Sequence, residues 1–212
     1  MSTGGLTRTL DALSQFAARR SRVDTCELCG AALSVDHPHL VHPQARKLLC
    51  SCPACAILFD SQSGSKYKRC GRRILFLAGF HLTDAEWAGL MIPINVAFFF
   101  KSSPEARVVA QYPSPAGATE SQLSLDTWGD LVTANPTLAE MEPDVEALLV
   151  NRLGPLRGYS AAEYYLLPID ECYKLVWLIR SHWRGLSGGA VVWQQLEWFF
   201  ADLKARSQAP YA

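Results

Sequence analysis

No stretch of this sequence stays apolar long enough to cross a bilayer. Runs such as "MIPINVAFFF" at 91–100 fall well short of the ~20 residues a spanning helix needs, so no transmembrane helix is expected. Net charge is missing too. Twenty Lys and Arg offset twenty Asp and Glu, which removes the overall basic charge that marks many nucleic-acid binders. There is no internal repeat and no G-x-x-x-x-G-K-[ST] phosphate loop. The one glycine-rich segment, "RGLSGG" at 184–189, follows a helical pattern, and we read it as a helix–helix turn. A convincing catalytic set is also lacking. Cys172 and His182 could be imagined as a nucleophile and base, but ten helical residues separate them by about 15 Å. Asp170 and Glu171 read as ordinary acids at a helix start. No small-molecule substrate suggests itself, and an enzyme is not the expected class.

What is present bounds the fold. A chain of 212 residues buries roughly 70% of its unfolded surface, so it needs no disulfides to fold. Near half of it is hydrophobic, with six Trp and nine Phe, which argues against global disorder. Leu6, Leu10, Leu13 and Ala17 recur at helical spacing, predicting an amphipathic helix over 1–22. No continuous apolar stretch follows Arg19-Arg20, as a secretory signal requires. A mitochondrial presequence would share this composition, but a cytoplasmic protein is the expectation, and a reducing compartment weakens any disulfide account of the cysteines. Charge is uneven along the chain. Residues 1–73 carry eleven basic and five acidic side chains, and residues 74–168 four basic and eleven acidic. Such a bipolar chain either orients a charged partner or neutralises itself internally.

The elements follow from local pattern. "RRILFLAGF" reads as a strand. "LTDAEWAGL" begins a helix with Thr83 as cap and Glu86 three residues on, and Pro93 is expected to end it. "INVAFFFKS" and "ARVVAQY" form a hairpin across "KSSPEA", "PSPAGATESQ" is an exposed loop, and "LSLDTWGDLVTANP" is a helix stopped at Pro136. "PDVEALLV" suits either a helix N-terminus or a strand. "EYYLLP" is a strand feeding the helix "IDECYKLVWLIRSHW". Its line Ile169, Tyr173, Val176 and Arg180 runs beside Cys172, Ile179 and Trp183. In "AVVWQQLEWFFADLKARS" the residues Val192, Leu196, Phe199, Phe200 and Leu203 share one helical face. The expected fold class is α+β: a small four-cysteine, zinc-ribbon-like module, then a mainly antiparallel sheet packed by two C-terminal helices. The divisions are 1–22 amphipathic helix, 23–60 Cys-rich module, 61–73 basic linker and 74–212 α+β domain.

The chemistry concentrates in the cysteines, five of seven lying within 26–55. Cys26 and Cys29 form one C-x-x-C pair and Cys52 and Cys55 another, with twenty-two residues between the pairs. In each such turn two sulfurs converge, and two turns joined by a hairpin complete the tetrahedron that zinc prefers. These four are the candidate metal ligands. Gly30 suits a left-handed position after the first pair, and Pro53 sits inside the second. Cys50 could replace a ligand, exchange with one, support the site from outside, or simply pack nearby. His37, His39 or His42 could complete a set of three cysteines and one histidine, though four correctly spaced cysteines already suffice. Cys70 and Cys172 read as isolated buried thiols.

The pattern "CELCG…CPAC" resembles a zinc ribbon or a rubredoxin-like module over about thirty residues, departing from it at Ala56, where glycine is usual. Tetrahedral thiolates accept zinc or iron. Phe59 is the only aromatic within 26–60, and that thin aromatic packing leans toward zinc. Over most of its length the chain, through "CELCG…HLVH…LLCSCPACAILFD" and "PIDECYKLVWLIRSHWRGLSGGA…WFFADL", resembles a bacterial family of unknown function often encoded beside nickel–iron hydrogenases. That resemblance implies a cytoplasmic accessory role in hydrogenase maturation or electron transfer. The expected function is a zinc-binding accessory protein that binds another protein, which the resemblance implies is a hydrogenase component or its maturation machinery. The alternatives are a rubredoxin-like iron electron carrier and a nucleic-acid-binding zinc ribbon, the last suggested by Arg46, Lys47, Lys66, Lys68, Arg69, Arg72 and Arg73.

Overall fold

The structure, a computed structural model, describes residues 24–60, 65–121, 125–154, 161–185 and 187–208. The helix expected over 1–22 lies outside them. Two antiparallel sheets organise the chain. The smaller has the order β2-β1-β3, from β1 (His39–His42), β2 (Lys47–Cys50) and β3 (Lys68–Arg69). The larger has the order β4-β9-β8-β5-β6-β7, from β4 (Leu75–Phe76), β5 (Val96–Ser102), β6 (Arg107–Ser114), β7 (Gly117–Ser121), β8 (Glu146–Asn151) and β9 (Glu163–Pro168). The helices are α1 (Pro53–Asp60), α2 (Asp84–Gly89), α3 (Leu125–Ala134), α4 (Ile169–His182) and α5 (Gly189–Arg206). This is the α+β arrangement anticipated, with the Cys-rich region first and two helices at the C-terminal end.

The large sheet is covered on both faces, which explains why its central strands β5, β8 and β9 read as apolar runs and not as alternation. Successive side chains point to opposite sides. Phe98, Phe100, Leu149, Tyr165 and Leu167 pack under α4 and α5, joining Leu175, Leu196 and Phe200 in one core. Ala97, Phe99, Leu148, Val150 and Leu166 face the other way, onto Trp87 of α2, Trp128 and Leu131 of α3, and Leu138. The predicted face of α5 is the buried one, residue for residue. On α4 the buried sector is wider than the expected line. It takes in Leu175 and Leu178, while Arg180 is exposed.

Local readings fared unevenly. The capping box of α2 is formed, with Thr83 Oγ1 accepting from the Glu86 amide. The helix ends at Gly89, ahead of Pro93: Leu90 is still right-handed, and Met91 then takes φ +55° and turns the chain away. "RRILFLAGF" yields a strand of two residues only. "PSPAGATESQ" is not a free loop. Ser114 ends β6 and Gly117–Ser121 returns beside it as an edge strand; its polar side chains, suited to an edge, hid it. "PDVEALLV" resolves as strand β8, buried throughout. Lys68–Arg69, inside the stretch read as linker, pairs with β1.

The head sits on the α4 side of the body. Val41 and Cys70 enter the same core as α4 and α5. Around that contact, basic residues of the first third meet acids of the middle. Arg46 bonds Glu105 and Glu120, Lys68 bonds Asp144 at 2.8 Å, and Arg73 bonds Glu146 at 3.0 Å. A good part of the bipolar charge is thus neutralised within the molecule.

Candidate metal centre

Four sulfurs converge because two short turns are closed by their own backbones. In the first, Gly30 N–H donates to the Cys26 carbonyl at 2.8 Å and Cys26 N–H to Ala31 O at 2.8 Å. Thr25 and Ala32 bridge across the base. Gly30 carries φ +76°, the left-handed conformation its position predicted. The second turn opens α1, with Pro53 at its first position, where a missing N–H costs nothing. Ala56 N–H donates to Cys52 O at 2.9 Å, and Cys55 N–H points at Cys52 Sγ, 3.4 Å away. The β1–β2 hairpin between the turns brings them together, and Glu27 N–H donates to Cys50 O at 3.0 Å to tie one to the other.

The result is a cluster in which the Sγ atoms of Cys26, Cys29, Cys52 and Cys55 all lie within 4.8 Å of one another. Cys29 and Cys52 are 3.8 Å apart. A tetrahedron with metal–sulfur bonds of about 2.3 Å has an edge of about 3.8 Å, so this separation fits an ion at the centre. Cys26 and Cys55 are buried and Cys29 is exposed. Burial opposes ionisation of Cys26, but backbone N–H groups of Cys52, Leu28 and Cys29 aimed at its sulfur outweigh it and hold the thiol at about 6. Burial, and hydrogen bonds to the sulfurs of Cys29, Cys52 and Cys26, push Cys55 up to about 12. The first thiolate therefore makes the next harder to form. A dication at the centre removes that conflict, with release of the remaining protons. The cluster fits a zinc-ribbon-like knuckle and could hold a metal ion.

The remaining candidates sort themselves. Cys50 stands outside the four and groups instead with His37 and His39. His42 belongs to neither group; its Nδ1 accepts from Ala45 N–H and its ring meets Tyr67 edge-on. Cys70 and Cys172 are buried, and burial pushes both thiols up. Asp170 and Glu171 are more than helix-start acids. Asp170 Oδ2 accepts from His39 Nδ1 at 2.9 Å, and Glu171 bonds both Lys174 and Arg206. Nothing in the sequence near Asp170 signals a partner 131 positions away.

Fold and site together define an α+β protein with a four-cysteine cluster at its N-terminal end. The chain belongs to DUF5947, a family of unknown function, whose family model matches residues 25–207. No curated protein matches the chain, and no solved structure does.

Proposed function

We propose that Cys26, Cys29, Cys52 and Cys55 hold one zinc ion in a structural role, and that the protein is an accessory factor working through contact with another protein. The convergence of four sulfurs within 4.8 Å carries this reading. Four protein ligands leave no open position for a reactant, the mark of a structural site. Zinc binding would then fold the Cys-rich unit, residues 23–60 with β3 added, onto the α+β unit. Exposed Trp177 and Trp198 on the two C-terminal helices, and Ile57 and Leu58 beside the second knuckle, offer apolar surface for a protein partner. Arg46, Lys47, Lys68 and Arg73 already bond carboxylates, which weighs against a nucleic-acid role. The process we assign is nickel–iron hydrogenase maturation or assembly, and it rests on the resemblance of the chain's head and tail to the family encoded beside those enzymes.

The test is metal analysis with an absorbance spectrum on untagged protein purified under reducing conditions. One colourless zinc per chain, lost when the four cysteines become serine, is the expected result. Iron with visible thiolate-to-metal absorption would replace this reading with a rubredoxin-like electron carrier. The assigned process predicts that deleting the gene lowers hydrogenase activity in a cell that makes the enzyme, and unchanged activity would discard it.

A further inference from the structure

A second group of ligand atoms includes Cys50, two residues before the second knuckle begins. His37, His39 and Cys50 place one nitrogen each and the sulfur within 4.8 Å of one another. Strand register produces this. His39 stands directly opposite Cys50 across the β1–β2 pair, where facing side chains are about 5 Å apart. His37 lies two residues before His39, its ring centroid 4.8 Å from that of His39.

Hydrogen bonds settle which nitrogens are available. His37 Nδ1 lies 2.8 Å from the Ser34 carbonyl oxygen, and His39 Nδ1 lies 2.9 Å from Asp170 Oδ2. A carbonyl oxygen and a carboxylate oxygen accept, so in the neutral imidazole each Nδ1 carries the proton and each Nε2 is left with its lone pair. His37 Nε2 is buried with no hydrogen-bond partner, and so is Asp170 Oδ1. Buried polar atoms without partners are uncommon. A carboxylate gripping the far nitrogen of an imidazole is the arrangement that orients metal-bound histidines.

We propose that His37 Nε2, His39 Nε2 and Cys50 Sγ form a second metal site, for a zinc-class divalent cation, with Asp170 as the positioning residue behind His39. Two imidazoles and a thiolate match the borderline first-row ions. The thiolate and the Asp170 carboxylate together balance the double charge. Three protein ligands leave the fourth corner of a tetrahedron to water. The two histidines also line a cavity of about 400 Å³ shared with Arg69, Arg72 and Asp170. The two sites differ in kind: one is closed by four sulfurs, the other is open.

The full-length protein, loaded with one equivalent of zinc and kept reduced, is titrated with Co²⁺, which binds more weakly than zinc and leaves the first site filled. A second equivalent is expected to bind, with near-ultraviolet absorption from a single cobalt–thiolate bond. Cys50→Ser should abolish that band, and His37→Ala and His39→Ala should abolish stoichiometric binding. Asp170→Asn should weaken binding by about 10–100-fold. All four variants should keep the first zinc and the wild-type circular dichroism. Uptake of only one ion per chain would overturn the proposal, as would a second ion indifferent to Cys50 and the histidines. Loss of the first zinc in Cys50→Ser would overturn it too, by placing Cys50 in the four-sulfur site. A chain that holds no tight zinc, yet takes up Co²⁺ through Cys50 and the histidines, would support this site while refuting the four-cysteine reading.

Discussion

Gly188 shows how much one residue can demand. It enters α5 with φ +86°, and a Cβ there would stand 2.8 Å from Val192 Cγ1 and 3.1 Å from two carbons of the Trp183 ring. Both neighbours belong to the packing of the turn: Val192 is fully buried, and Arg184 N–H closes the loop on Gly188 O at 3.0 Å. Left-handed backbone costs an ordinary residue about 1–2 kcal/mol, and overpacking adds about 1–3 kcal/mol. Gly188→Ala should therefore destabilise the protein by about 2–5 kcal/mol, read as a lower midpoint in urea with an unchanged slope; an unshifted midpoint would mean the turn relaxes freely. Cysteine offers a second lesson at this scale. One residue type occupies three environments here, and spacing separated the knuckle four from Cys70 and Cys172. It could not place Cys50, because the company of that thiol depends on the residue facing it across the hairpin.

Between elements, ion pairs form the seam of head and body. Arg46, in the tight turn joining β1 to β2, reaches Glu120 of β7 at 2.7 Å, and Arg107 of β6 reaches the same carboxylate at 2.7 Å. The hydrogen bond from Arg107, then that from Arg46, hold the Glu120 carboxyl below its ordinary value against the opposing effect of burial. A carboxylate depressed on folding adds stability that is complete above its unfolded pKa and is lost as pH falls through the folded one. Wild type should therefore exceed Glu120→Gln in stability at neutral pH, and the two should converge below about pH 4. The pairs are partly exposed, so high salt should narrow the neutral-pH gap. Urea midpoints from neutral pH down through that range measure both effects, and parallel curves would show that Glu120 contributes nothing electrostatic. The strand β7 itself went unread because an edge strand that starts at Gly117, just after Pro113 and Pro115, has the composition of a loop.

At the scale of the whole molecule, the six-stranded sheet owes its burial to helices on both faces, whereas the three-stranded sheet is small and leans on the knuckles beside it. Removal of the metal proposed for the four cysteines should therefore act unequally. A thiol-competent chelator is expected to strip amide-exchange protection from residues 24–60, while the amides of β5, β8 and β9 stay protected. Uniform loss of protection would mean that head and body unfold as one cooperative unit. Among the described residues no helix is long and apolar enough to cross a membrane, in keeping with the short apolar runs.

Local chemistry made part of this legible without coordinates. The C-x-x-C spacings, the Thr83–Glu86 capping box, the β5–β6 hairpin and the buried face of α5 all depend on residues a few positions apart, where backbone geometry alone decides who meets whom. Tertiary structure decided the rest. The pairing of His39 with Cys50 needs a strand register, and a slip of one residue would turn every side chain to the other face. The bond between His39 and Asp170 needs the head docked on the start of α4, and the charge seam needs β7 at the sheet edge. Such contacts form only when distant segments bury a common core, and no short window of sequence contains both partners.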